Sequence, residues 1–404
     1  MKIGVIRERK NPPDQRVALT PEQCARVLSI PGVDIVVEPS PIRSFTDEEY
    51  ADLGIPMQED LSDCDVLMGV KEVPVDELIP GKTYFFFSHT IKKQAYNRKL
   101  LQAVLAKNIR LIDYEVITDE QGRRLIAFGR FAGMVGAHNG VMTYGLRTRS
   151  FHLPRMQDFM DYEHVRTYYR DVLILPPIRI VLTGSGRVGQ GANQVLRDMG
   201  VREVSPDAFL EQHWSGPVFT HLTSGDYVRR KDGGAFNKKD FYANPDAYES
   251  NFARFARVAN LFINGIYWNN RAPAFFTREE MSHPDFKIRV IADVTCDIAP
   301  VSSIPATLKA STIADPIFGY DPVQNKEVEP FQSGIIDMMT IDNLPSELPR
   351  DASQAFGEMF LMHVLPELLK PESKLIERAT IAVDGDLGPH FEYLRDYVNE
   401  GTVG

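Results

Sequence analysis

The sequence predicts an α/β protein built as two Rossmann-like parallel-sheet domains with an active-site cleft between them. Three observations predict it. Short apolar runs alternate with helical patterns, as a parallel sheet covered by helices on both faces requires. The chain has 404 residues, too many for one ordinary core. A glycine-rich motif opens a second round of alternation near residue 178.

The first round starts at the N-terminus. KIGVIRE, VDIVVEP, DVLMGVKE, TYFFFSH and RLIDYEVI are compact, β-rich and bounded by turn residues. TPEQCARVLSI and NRKLLQAVLAKN between them carry helical spacing, and Thr20-Pro21 supplies an N-cap followed by a proline at the first helical position. GAHNGVMTYGLRTRSFHL and EHVRTYYRDVLIL read as connecting helices. The second round continues through IRIVLT, VFTHL, NLFINGIYW, IRVIADVT and GIIDMMTID. The helical pattern DASQAFGEMFLMHVLPELL then either finishes the second domain or crosses back to the first, and periodicity allows both.

Composition narrows the function classes. Apolar residues make up 43% and charged residues 25%, the balance of a soluble globular protein. A net charge of −10 leaves no basic footprint for nucleic acid. No apolar run approaches the roughly 20 residues that span a bilayer. MKIGVIRERK lacks an apolar signal core and reads as a strand. Cys24, Cys64 and Cys296 are scattered, so neither a disulfide framework nor a metal site is expected, and a cytoplasmic location fits.

The strongest local signal is Gly184-Ser185-Gly186-Arg187-Val188-Gly189, which follows the apolar IRIVLT and opens a helix. In that context GxGxxG binds a dinucleotide. Gly184 permits the tight turn, Gly186 admits a pyrophosphate, and Gly189, helped by Gly191 and Ala192, lets helix and strand pack closely. The free N–H groups and positive dipole end of the helix face the anion. The next strand, REVS, ends without the acid that would bond a ribose 2′-hydroxyl. Asp207 lies close by and leans the cofactor, NAD or NADP, slightly to NAD.

The first round supplies ionisable groups at strand ends, where ligands of open parallel sheets bind. Lys71-Glu72 ends DVLMGV, His89 ends YFFFS, Glu115 ends LIDYE, and Arg16 follows the first strand. Singly, each has a bland reading as a loop or cap residue. Together they form a proton-transfer set beside a hydride cofactor, and arginines suit carboxylates. An NAD(P)-dependent oxidoreductase follows.

KIGVIRERKNPPDQRVALTP resembles the start of the alanine dehydrogenase and transhydrogenase superfamily. VKEVP, FFFSHTIKKQAYN, AFGRFAGMVG, LFINGIYW, IADVTCD and IDNLPSELP resemble, more closely, lysine-forming saccharopine dehydrogenase and the lysine–ketoglutarate reductase half of the bifunctional lysine-degrading enzyme. The resemblance implies reversible condensation of lysine with 2-oxoglutarate to saccharopine through a reduced imine. It implies that Lys71 and His89 are the acid–base pair, that Glu72 and Glu115 tune them, and that Arg16 and Arg124 bind substrate carboxylates. Gly265, Asp297 and Asp342 would lie near the nicotinamide. It also implies a discontinuous first domain, residues 1–140 plus about 346–404, around a dinucleotide domain at 141–345. An alanine dehydrogenase acting on pyruvate and ammonia, and a nucleotide-binding regulator without chemistry, are the alternatives.

Overall fold

The computed structural model describes residues 1–400; the last four residues of the expected first-domain segment lie outside the described residues. The chain divides into two compact units, Met1–Phe128 with Pro349–Gly404, and Gly129–Leu348.

The first unit is a seven-stranded sheet. Lys2–Val5 pairs in parallel with Asp34–Val37 on one side and Val66–Lys71 on the other, and Thr83–Phe87 and Arg110–Asp113 continue the parallel ladder. Thr380–Val383 and Asp386–Leu387 then close the edge in antiparallel order, so this sheet is mixed. The YFFF run is explained by its pleat. Phe85 and Phe87 join one apolar cluster with Cys24, Val27, Phe356 and Phe360, while Tyr84 and Phe86 join the opposite one with Leu100, Leu101, Leu394 and Val398. Successive side chains of a strand point to opposite faces, and a strand covered on both faces needs no polar alternation. RLIDYEVI forms a shorter strand than its apolar run suggests, because Tyr114–Val116 turns into a 3₁₀ helix.

The helix Pro349–His363 settles what periodicity left open: it packs in the first unit. Ser353 Oγ accepts the Val17 N–H at 2.9 Å, and Phe356 stacks on Phe128 at 5.0 Å. The helix Pro21–Leu28 begins as its sequence predicts, with the Gln23 side chain accepting the Thr20 N–H at 3.0 Å.

The second unit holds an eight-stranded sheet. From one edge the parallel order is Arg202–Glu203, Val218–Leu222, Arg179–Thr183, Leu261–Asn264, Val290–Asp293 and Ile336–Met339. Ile317–Asp321 and Lys326–Val328 extend it antiparallel. This sheet too is mixed at one edge. A 20-residue helix, Gly129–Thr148, crosses the helix Arg187–Asp198 at backbone contact distance. A Cβ on Gly133 would lie 1.8 Å from the Val188 carbonyl oxygen, and one on Gly191 would lie 2.0 Å from that of Arg130. Gly191 therefore serves a helix–helix crossing, and the helix–strand contact expected of it belongs to Gly189 alone.

No helix among the described residues is long and apolar enough to cross a membrane. Gly133→Ala should cost about 1–3 kcal/mol, the range for overpacking a close contact. Gly216→Ala, where a Cβ meets nothing within 4 Å, should change little. Urea unfolding of both variants checks this, and equal midpoints would mean the helix crossing is not tight.

Candidate functional site

The first unit collects its ionisable groups on one sheet edge. Lys71 ends the strand Val66–Lys71 and pairs in register with Phe87 on the next strand. Ser88 and His89 follow Phe87, and Glu115 follows Arg110–Asp113. The parallel ladder thus places these residues at carboxyl ends of adjacent strands.

Asp113 organises that edge. It is fully buried, and its Oδ2 accepts the Ser88 N–H at 2.9 Å and the Ser88 hydroxyl at 2.6 Å. Its Oδ1 accepts the Glu115 N–H at 2.7 Å. The loop that Ser88 opens turns sharply: His89 has φ 54°, a left-handed conformation that side chains other than glycine rarely adopt. That turn brings His89 Nδ1 to 3.2 Å from Glu115 Oε2 and lays its ring on Phe87 at 6.2 Å. An ionised carboxylate only accepts, so Nδ1 carries the proton and Nε2 is left to exchange one. Glu115 also draws Lys92 at 3.5 Å and Arg124 at 3.8 Å. The hydrogen bond from His89, with these cations, holds its carboxyl down at about 2 against the opposing effect of burial.

Lys71 sits in a second cluster. Burial pushes its ammonium pKa down, and the positive charges of Arg16 and Lys10 push the same way, opposed by Asp14 and Glu72. Glu72 accepts from Lys10 Nζ at 2.6 Å, so it reaches Lys71 only through its charge. Arg16 is 3% exposed and forms a paired contact with Asp14, at 3.0 and 2.6 Å, with its guanidinium 4.4 Å from the Phe128 ring centre. Burial alone would raise the Asp14 carboxyl, but the guanidinium reverses that and holds it near 2.

Sequence reasoning missed Glu8. Its carboxyl group accepts the N–H groups of both Val70 and Lys71, at 2.6 and 2.9 Å, and so clamps the strand end that carries Lys71. Burial, with the neighbouring Asp14 charge, raises its pKa to about 8. The only sequence signal is an acid three residues past the first strand, inside a run of charges. Asp113 and Lys92 were missed as well; an acid inside an apolar strand was the available sign of the first.

The second unit carries the glycine loop. Gly184 has φ +104°, and a Cβ there would lie 2.2 Å from the Gly265 carbonyl oxygen. A Cβ on Gly189 would lie 1.6 Å from the Gly184 oxygen. At Gly186, by contrast, a Cβ meets nothing within 4 Å, and the helix Arg187–Asp198 starts without a side-chain cap. Open space before uncapped N–H groups fits a pyrophosphate. His221 braces the loop: Nε2 donates to the Gly184 carbonyl at 2.6 Å while Nδ1 accepts from Asn193 at 3.2 Å. Below, Thr183 bonds Asn264 at 3.0 Å and Asn264 bonds Asp293 at 2.9 Å, a buried polar ladder across three strand ends.

A cavity of about 900 Å³ within this unit is lined by Gly184, Ser185, Gly186, Arg187 and Val188, by Gly265 packed against that loop, and by Asp297. Gly189 packs beneath its floor, and Asp342 does not line it. The ribose expectation needs correction. Arg202–Glu203 is an edge strand; Val218–Leu222 lies between it and the glycine-loop strand. Thr223 and Ser224, not Asp207, therefore follow the strand beside Arg179–Thr183, and they line the cavity where Asp207 does not. The lean to NAD drawn from Asp207 loses its basis.

Residues 4–135 match the family model of the alanine dehydrogenase/PNT N-terminal domain. The chain is 30% identical to the mitochondrial alpha-aminoadipic semialdehyde synthase of Rattus norvegicus, over 97% of this chain and 47% of that protein. It is 28% identical to saccharopine dehydrogenase [NAD(+), L-lysine-forming] of Yarrowia lipolytica, over 89% of this chain and 90% of that one. Along most of its length this chain is similar to the lysine-forming saccharopine dehydrogenases. It spans about half the length of the semialdehyde synthases that it matches. Among solved structures, an L-alanine dehydrogenase superposes with a TM-score of 0.67 at 17% identity, covering 98% of this chain and 100% of that one. A transhydrogenase from Sinorhizobium meliloti gives 0.57 at 14%, covering 96% and 100%. The two-domain fold of the first of these is the fold of this chain.

Glu8 yields a stability prediction. Its folded pKa of about 8 lies above the ordinary glutamate value of 4.5, so between these the folded state keeps a proton that the unfolded state has released. Stability should therefore fall as pH rises from about 4.5 to about 8. Glu8→Gln should flatten that fall. Urea midpoints at pH 5 and pH 8 check it; an unchanged difference between the two would remove Glu8 as its source.

Proposed function

We propose that the chain is an NAD(P)-dependent, lysine-forming saccharopine dehydrogenase, reversibly condensing L-lysine with 2-oxoglutarate. The observation that carries the reading is the His89–Glu115 pair at 3.2 Å with Lys71 on the adjacent strand end. The similarity to lysine-forming saccharopine dehydrogenase supports it. Gly184, Ser185, Gly186, Arg187 and Val188, with Gly265 and Asp297 lining the same cavity, would hold a nicotinamide dinucleotide, which when bound would supply or accept the hydride.

The remaining steps are addition of the amine, proton transfers and loss of water. The lysine ε-amine adds to the 2-oxo carbon, the nitrogen loses a proton, and the oxygen gains two before it departs as water. A lysine whose ammonium pKa is lowered by burial is neutral for more of the time and accepts such a proton. His89, oriented by Glu115 through Nδ1, delivers a proton from Nε2 and recovers it in reverse. Arg124 is the carboxylate binder we favour. Arg16, buried against Asp14, acts on Lys71 by charge, and the resemblance to the saccharopine dehydrogenases assigns it a substrate carboxylate. We propose a cytoplasmic location, which the three unpaired cysteines fit.

NADH and NADPH oxidation at 340 nm with lysine plus 2-oxoglutarate, against pyruvate plus ammonia, tests the reading. Turnover with the first pair only is expected; turnover with the second pair only would replace it with alanine dehydrogenase. His89→Ala should lower kcat by about 10²–10⁴, the usual contribution of a general acid–base group. Binding of NADH, followed by fluorescence, should be unchanged. Wild-type turnover in this variant would end the assignment.

A further inference from the structure

The strand Val66–Lys71 breaks its ladder just before the lysine that ends it. On one side it pairs with Lys2–Val5 as far as Met68, whose carbonyl still accepts the Ile6 N–H at 2.9 Å, and there the pairing stops. On the other side the register slips. Met68 faces Phe85 but Lys71 faces Phe87, so Gly69 and Val70 share the single place opposite Phe86. Two residues against one make a β-bulge, a device that re-aims a side chain beside a site.

A regular strand sends successive N–H groups to opposite edges. Here Val70 and Lys71 send both to one carboxyl group, at 2.6 Å to Glu8 Oε1 and 2.9 Å to Glu8 Oε2. Gly69 leaves the room this needs: a Cβ there would lie 2.9 Å from Ile6 Cδ1 and 3.4 Å from Glu8 Oε1. The slipped register, the two convergent N–H groups and the missing side chain meet at one acid. Glu8 faces Asp14 and Arg16 from its own loop and Tyr114 from the far strand end. The Lys71 amine lies among the charges of Arg16, Asp14, Lys10 and Glu72, and burial is the strongest influence on it.

We propose that Glu8 is a positioning residue for the reaction: its carboxyl group stands in for the missing strand partner, holds the bulge, and aims the Lys71 amine into its buried place. The inference rests on the reading of Lys71 as a proton acceptor. Without the acceptor at Glu8 the strand end loosens and Lys71 turns toward water. A hydrated amine keeps its proton to higher pH and takes one from the substrate less often.

The test compares Glu8→Gln with Glu8→Met in the whole chain. Neither variant carries a charge at this position, the two side chains are similar in size, and only the amide keeps an acceptor for the strand end. Two readouts are taken: kcat with lysine, 2-oxoglutarate and the reduced cofactor, and the pH midpoint of Lys71 acetylation by acetic anhydride, followed by mass spectrometry. Glu8→Met should lower kcat about tenfold to a hundredfold, the cost of misplacing a reacting group, and raise the Lys71 midpoint. Glu8→Gln should lie between Glu8→Met and the unsubstituted chain in both. Glu8→Ala takes the place of Glu8→Met if the latter does not fold. Coincidence of the Gln and Met variants in both readouts would overturn the proposal. So would a fall in kcat with the Lys71 midpoint unmoved, which is the mark of a general loss of structure. Wild-type turnover in Lys71→Met would overturn the reading of Lys71 and this proposal with it. No turnover of lysine plus 2-oxoglutarate by the unsubstituted chain, with the Lys71 midpoint still responding to Glu8→Met, would sink the substrate assignment and leave Glu8 as the residue that aims Lys71.

Discussion

A buried carboxylate with three donors holds the candidate site together. Asp113 ends its strand inside the first unit, takes both the N–H and the hydroxyl of Ser88 on one oxygen, and takes the Glu115 N–H on the other. Burial raises its pKa, since a charge in an apolar surrounding is costly, and the three hydrogen bonds offset that cost. The consequence is positional. Two loops leaving adjacent strands are fixed relative to one another, and His89 and Glu115 meet because their backbones do. Without Asp113, three donors would lose their acceptor, each at about 1–3 kcal/mol if left buried and unpaired. The left-handed turn at His89 would then lose its anchor at Ser88.

The second unit meets a different constraint, the removal of side chains. The loop that faces an anion must come close to the neighbouring strand's loop, to its own helix and, through that helix, to the long helix Gly129–Thr148. Gly184, Gly189, Gly191 and Gly133 each stand where a Cβ would fall within 2.2 Å of a backbone oxygen. The region is rigid through backbone packing and through the polar ladder of Thr183, Asn264 and Asp293, whose side chains are all fully buried. Preorganised N–H groups bind an anion with little reordering.

Much of this was legible in the chain. Alternating strands and helices, the glycine motif, and ionisable groups at strand ends are local patterns, and local patterns survive folding. Lys71, His89 and Glu115 were readable because each directly ends an apolar run. Glu8 was not, because its partners are backbone N–H groups 62 and 63 residues away. The ribose position was misread for a related reason: sequence order places REVS next after the glycine loop, but sheet order places VFTHL beside it. Tertiary pairing decides sheet order. The role of Arg124 rested on resemblance, and only the fold brought it to Glu115.

The interrupted path of the first unit bears on how the protein is made. Its sheet face is sealed by Phe356 and Phe360, which arrive after the whole of Gly129–Leu348. The Val17–Ser353 bond joins residues 336 positions apart. At roughly 5–20 residues per second, the growing chain carries an unsealed apolar face for on the order of ten seconds or longer. The second unit is contiguous and suffers no such delay. It can mature on the ribosome while its neighbour waits, which makes the nascent first unit the natural client for a chaperone and the point at which aggregation begins.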